Sequence, residues 1–123
     1  MRVYYDRDAD VNLVKGKKWY SLTADYAFGH DLLRVAKKFM EGKGGQFAAD
    51  ELVPTDAADF SPYLLKIRQA RPDHVILWGW GVMNSVAIKT AQRNGFPRDK
   101  MLGVWWAGSE EDTIPSGDAA KGY

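Results

Sequence analysis

Short apolar runs alternate with amphipathic stretches from Lys17 to Trp106, and this alternation limits the chain to very few architectures. Lys17–Ala24 reads as a strand that ends at Asp25. A helix is expected from about His30 to Gly42, because Leu32, Leu33, Val35, Ala36, Phe39 and Met40 recur at helical spacing while Lys37 and Lys38 face away. Gln46–Val53 is a second strand, closed by Pro54. Asp59 is placed to cap a helix over about Phe60–Ala70, with Pro62 in the first turn, where its missing N–H costs nothing. Leu64, Leu65 and Ile67 form that helix's buried side. His74–Trp78 is almost continuously apolar, as in a strand covered on both faces. Gly79-Trp80-Gly81 makes a turn, Met83–Asn94 a third helix and Met101–Trp106 a fourth strand. Strand and helix in strict succession imply a three-layer α/β/α, Rossmann-like domain with a mainly parallel sheet and right-handed crossovers. Residues 17–123 form that single domain. Residues 1–16 fit it least and read as a leader, a linker or a helix of their own.

Composition removes several function classes. The 123 residues carry a formal net charge of +1, which gives no field to draw nucleic acid or anionic membrane. No cysteine is present, so disulfides, thiolate metal sites and cysteine catalysis are excluded. The two histidines, His30 and His74, are too far apart for a helical metal pair. Neither glycine-rich segment suits a phosphate. Gly42-Lys43-Gly44-Gly45 lies between a helix and a strand, the reverse of a phosphate loop, and Gly79-Trp80-Gly81 has Asn84 where a dinucleotide fingerprint needs glycine. There is no Gly-x-Ser-x-Gly elbow. No catalytic residue, metal or cofactor is expected, and the chain reads as a binding module rather than an enzyme. The N-terminal Met-Arg-Val-Tyr-Tyr-Asp lacks the apolar core of an export signal.

A parallel sheet fixes where a site must be, since ligands bind beyond the carboxyl ends of its strands. Asp25, Tyr26 and Phe28 follow the first strand, Thr55 and Asp56 the second, Trp80 the third, and Trp105, Trp106, Ser109 and Glu110 the fourth. Aromatic residues thus gather at one edge. Trp19 and Trp78, inside strands, read as core. Trp80, between two glycines, reads equally well as pocket wall or core. Trp105 and Trp106, if extended, point to opposite faces, so one of them at most faces a ligand from the strand. Asp25 alone after a strand reads first as a turn or cap residue.

Several segments carry a family likeness. Thr23-Ala24-Asp25-Tyr26-Ala27-Phe28-Gly29-His30, Asp59-Phe60-Ser61-Pro62-Tyr63, Arg71-Pro72-Asp73, Gly79-Trp80 followed by Ala91-Gln92-Arg93-Asn94-Gly95, and Gly117-Asp118-Ala119-Ala120-Lys121-Gly122-Tyr123 fall in an order that resembles the periplasmic substrate-binding proteins of branched-chain amino acid ABC transporters. The resemblance covers residues 17–123. It implies the type I periplasmic binding fold, in which two α/β lobes close on a small molecule, with this chain as the second lobe. It implies a membrane permease as partner and a periplasmic or extracellular location. By the same resemblance Phe28 and Trp80 contact the ligand, and Trp105 stands near the place where amino-acid binders carry an acid for the ammonium group. Asp25 and Glu110 are the acids that could substitute, and Tyr26 completes the expected ligand-binding set. An amino acid, an aromatic acid or an amide are the cargoes left open. A ligand-sensing domain of a regulatory or receptor protein is the alternative role. A lobe whose partner lobe is lacking exposes its aromatic edge and is expected to self-associate, with residues 1–16 as the segment to exchange.

Overall fold

The computed structural model describes residues 6–123. Residues 1–5 lie outside the described residues; the rest of the 1–16 segment forms two single 3-10 turns at Asp6–Asp8 and Val11–Leu13. Gly16 N–H then donates to the Gly44 carbonyl at 2.8 Å, which brings the chain into the sheet.

Four strands follow: β1 (Lys18–Ala24), β2 (Gln46–Val53), β3 (His74–Trp78) and β4 (Met101–Gly103). Between them run α1 (Ala27–Gly42), α2 (Ser61–Ala70) and α3 (Val82–Arg93). All pairings are parallel and the spatial order is β2-β1-β3-β4. The α/β class, the parallel sheet and the succession of elements are as the alternation of sequence patterns requires. A short α4 (Glu110–Thr113) and a 3-10 segment over Ile114–Ala120 complete the chain.

Right-handed crossovers put α1 on one face of this sheet and α2 with α3 on the other. The α2/α3 face is sealed. Tyr20, Leu22, Val53, Val75, Leu77 and Met101 meet Phe60, Leu64, Ile67, Met83, Ala87 and Ala91 there in one buried cluster. Ser61 N–H and Oγ both donate to Asp59 Oδ1, at 3.0 and 2.8 Å, so Asp59 serves the start of α2 from one position before the cap.

The α1 face departs from expectation. Leu33 and Met40 are buried, but Val35 and Phe39 are each 57% exposed. Ile76 and Trp78 on β3 are only half buried, so β3 is not covered on both faces. Leu65 of α2 is likewise exposed. The reason on this side is geometric: α1 returns the chain from β1 to β2 and lies over those strands, leaving β3 and β4 bare on that face. Val14, Leu32, Val35, Ala36, Phe39, Met40, Ile76 and Trp78 line the resulting apolar cleft of about 340 Å³.

Two boundaries also move. Helix α1 starts at Ala27, not His30. Gly29 makes this possible, because a Cβ there would overlap the Ala24 carbonyl oxygen at the end of β1. Strand β4 stops at Gly103, and Trp105–Ala107 is a 3-10 turn closed by Ala107 N–H to the Val104 carbonyl at 2.8 Å. Trp105 and Trp106 are therefore not on a strand, and the expectation of opposite faces does not apply.

Candidate functional site

In the strand order, the chain leaves β1 toward β2 on one side and leaves β3 toward β4 on the other. The sheet therefore has its topological switch between β1 and β3, and the crevice beyond their carboxyl ends is where such sheets bind ligands. Asp25 and Tyr26 leave β1 at this crevice, and Gly79-Trp80-Gly81 leaves β3 beside them.

The aromatic residues at this edge form a continuous row. The Trp80 and Tyr26 rings meet edge-to-face with centroids 4.7 Å apart. Tyr26 is 5.9 Å from Phe28, and Phe28 is 6.0 Å from Trp106. Trp106 is 5.1 Å from Trp105, again edge-to-face. These spacings suit aromatic pairs that stabilise one another by about 0.5–1.5 kcal/mol each. Tyr26, Phe28 and Trp80 are each partly open to solvent, at 36%, 47% and 40% exposure. Trp80, whose two readings stood level in the sequence, is thus not fully buried.

Local chemistry explains why the row stands where it does. Tyr26 occupies the cap position of α1 in an extended conformation and makes no side-chain cap, so its ring is free to turn outward. Phe28 sits in the first turn of the same helix. Gly81 has φ +52° and ψ −127°, a backbone state open to glycine and strained for other residues. A Cβ at Gly79 would press on Asn84 Oδ1 and Met83 Sδ, so the turn packs tightly on the start of α3. Trp106 Nε1–H donates to the Gly79 carbonyl at 3.0 Å, tying the far end of the row to the turn that carries Trp80.

The expected set divides here. Tyr26, Phe28 and Trp80 come together. Trp105 ends the row but is 87% exposed, and among the described residues its ring neighbour is Trp106. The residue that joins the row to the sheet is Trp106, half buried, which sequence reasoning set level with Trp105 and left out of the set. An indole N–H needs an acceptor when it is buried, and a carbonyl of the neighbouring turn is the nearest kind available; that requirement was the available signal.

Neither Asp25 nor Glu110 is bonded to the row among the described residues. Asp25 Oδ1 lies 2.8 Å from His30 Nε2, both about half exposed. Asp25 thus pairs with a side chain of α1 and does not cap it. Glu110 begins α4 and is exposed; no hydrogen bond or ion pair among the described residues joins it to the row. Tyr123 packs beneath, its hydroxyl against Gly103. Burial, and to a lesser extent the charge of Asp112, push that hydroxyl up to about 12, so it stays protonated.

A doubly wound parallel domain of this kind belongs to the class of open α/β sheets, whose ligands, where they bind, lie at the switch point. The sequence matches the family described as periplasmic binding protein over residues 9–123. The chain belongs to that family. Among solved structures, one described as an ABC transporter permease from the Pseudomonas fluorescens group is 41% identical with TM-score 0.83, over 95% of this chain and 28% of that one. A solute binding protein of an ABC transporter from Rhodopseudomonas palustris BisB5, in complex with 3,4-dihydroxybenzoic acid, is 29% identical with TM-score 0.73, over 85% of this chain and 29% of that one. A branched-chain amino acid ABC transporter protein from Thermus thermophilus with bound valine has TM-score 0.78 at 24% identity, over 89% and 28%, a likeness of fold. The chain spans less than a third of the length of each.

Proposed function

We propose that this chain is the second ligand-binding lobe of a two-lobed solute receptor. The receptor captures a small molecule between its lobes in the periplasm, or outside the cell, and delivers it to the permease of an ABC transporter. It performs no chemistry. The observation that carries this reading is the row Trp80–Tyr26–Phe28–Trp106 at the switch point, an uncharged wall open on one side.

The wall favours a flat aromatic acid over an ordinary amino acid. Ring faces stack on a ring, whereas a buried ammonium needs a carboxylate aimed at it. Here Asp25 is engaged by His30, Asp112 is engaged by Gly81 N–H and Ser109 Oγ–H, and no hydrogen bond or ion pair among the described residues joins Glu110 to the row. The aromatic acid bound by the Rhodopseudomonas palustris relative supports the same class. Calorimetry on the two-lobed protein with 3,4-dihydroxybenzoate and with valine tests it. The expected result is measurable binding of the aromatic acid and weaker binding of valine. Tight valine binding with no aromatic-acid binding would reverse the ligand class, and binding of neither would remove the wall from consideration.

The same wall is left uncovered in the isolated chain, and exposed apolar patches of this kind drive association. Light scattering is expected to show mass rising with concentration. A monomer throughout would count against an adhesive edge.

A further inference from the structure

The turn that carries Trp80 is gripped from outside its own elements. Gly81 N–H donates to Asp112 Oδ1 at 3.0 Å, across a sequence separation of 31 residues. The other carboxylate oxygen, Asp112 Oδ2, accepts from Ser109 Oγ–H at 3.1 Å. Two residues before Gly81, the Gly79 carbonyl accepts from Trp106 Nε1–H at 3.0 Å. Both bonds come from the 105–113 segment, and together they bracket Trp80. Further hydrogen bonds stiffen that segment: Asp112 N–H and Thr113 N–H reach the Ser109 carbonyl at 3.2 and 3.1 Å, and Thr113 Oγ1–H reaches it at 2.9 Å.

We infer that Asp112 is a positioning residue for the ligand wall: with Trp106 it clamps the Gly79-Trp80-Gly81 turn, so that the Trp80 indole is held edge-on to Tyr26 before any ligand arrives. A turn built on two glycines has more backbone freedom than one built on residues that carry a Cβ. Left alone, it would let the indole sample many orientations, and a ligand would have to order it on binding. A carboxylate accepting a backbone N–H is among the stronger hydrogen bonds available for removing that freedom. Asp112 makes no hydrogen bond to a ring of the row among the described residues, and its bond to the turn is to the backbone of Gly81. The inference rests on reading the row as the ligand side, and its test is chosen to fail separately from that reading.

The test uses the 123-residue chain labelled with 5-fluorotryptophan, whose five tryptophans give five fluorine resonances. The Trp80 resonance is identified by its loss in Trp80→Phe. In Asp112→Ala this resonance is expected to shift and broaden while that of Trp19, buried at the start of β1, stays in place. Asp112→Asn keeps an oxygen acceptor for Gly81 N–H and is expected to restore the native resonance. A purely structural Asp112 would move all the resonances together or none, and rescue by Asn would not single out Trp80. An unmoved Trp80 resonance in folded Asp112→Ala overturns the clamp, and so does an Asn variant no better than Ala. If Asp112→Ala does not fold, hydrogen exchange on the unaltered chain decides. The Gly81 amide is expected to be protected at least about tenfold over an unstructured glycine, and exchange at the unprotected rate overturns the proposal. Titration of the two-lobed Asp112→Ala protein with 3,4-dihydroxybenzoate and valine separates the two readings. A fluorine-verified clamp with unchanged binding of both probes leaves Asp112 in place and removes the wall from the ligand.

Discussion

The two faces of the sheet use the same strands and end in different states. Against α2 and α3, β1 presents Tyr20, Leu22 and Ala24, and all are buried in the core. Against α1 the same strand presents Trp19, Ser21 and Thr23, with the two hydroxyls paired 2.6 Å apart. Small side chains there, and Gly29 above them, let α1 come close to β1. Beyond β1 that face opens. Trp78 and Ile76 line a cleft, and Leu102 is exposed. Three ring nitrogens of this face, Trp19 Nε1, His74 Nδ1 and Trp78 Nε1, are buried without a partner among the described residues. The sealed face is therefore the larger source of apolar stabilisation, because its side chains are the more completely buried, although Asn84 Nδ2 and Oδ1 on α3 are also buried there without a partner among the described residues.

That contrast can be broken most directly with a pair of phenylalanines. Phe60→Ala, at a fully buried position against α2, is expected to cost about 3–5 kcal/mol in urea unfolding. Phe39→Ala, on the open face, should stay within about 0.5 kcal/mol of the parent. Equal losses would mean that the cleft side is as tightly built as the core. Trp80 belongs to neither face. Trp80→Ala in the two-lobed protein is expected to weaken 3,4-dihydroxybenzoate binding ten- to hundredfold, about 1.4–2.8 kcal/mol, with the melting temperature nearly unchanged. A large drop in melting temperature would assign Trp80 to the core instead. Trp78→Phe sharpens the contrast in the other direction. It removes a buried N–H that has no partner, so stability should be unchanged or raised by less than about 1 kcal/mol. A marked loss would reveal an acceptor for that indole.

The smallest effect concerns acid. The Lys18 backbone N–H, donating to Asp73 Oδ2 at 2.8 Å, holds the Asp73 carboxyl below the usual carboxylate value. A depressed folded value makes the contribution present above the unfolded value of about 4 and lost as pH falls through the folded one. Asp73→Asn should therefore lower stability slightly at neutral pH and converge with the parent in acid, which flattens the acid limb of the stability profile. An unchanged acid limb would remove Asp73 from that role.

How much of this was legible depended on what set each feature. Strands β1, β2 and β3 follow from local pattern, so Lys18–Ala24, Gln46–Val53 and His74–Trp78 match the reading of the sequence closely. The edge that gathers Tyr26, Phe28 and Trp80 followed from topology alone, because a parallel sheet sends every such loop to one end. Trp105 and Trp106 were misread as strand because two tryptophans after an apolar run look like its continuation. What ends β4 is the 3-10 turn and the bond from Trp106 to Gly79, a partner 27 residues away that no local pattern reveals. Asp112 was invisible for the same reason. Val35 and Phe39 carried the right helical period and still face outward, since periodicity names a helix's apolar side and not what lies opposite it.

The strand order also has a consequence in time. Strand β1 precedes the other three strands of this sheet and ends in its interior, hydrogen-bonded on both edges. Its second edge closes only when β3 has been made, and the loop from Lys18 to Asp73 spans 55 residues. That loop is about twice the length of the one joining β1 to β2, yet doubling a loop adds only ~0.6 kcal/mol of closure entropy. The two pairings are therefore nearly matched in cost, and what separates them during synthesis is arrival. While β3 is still being polymerised, β1 has one satisfied edge and one row of free amides and carbonyls. Pairing with His74–Trp78 is what satisfies that second edge.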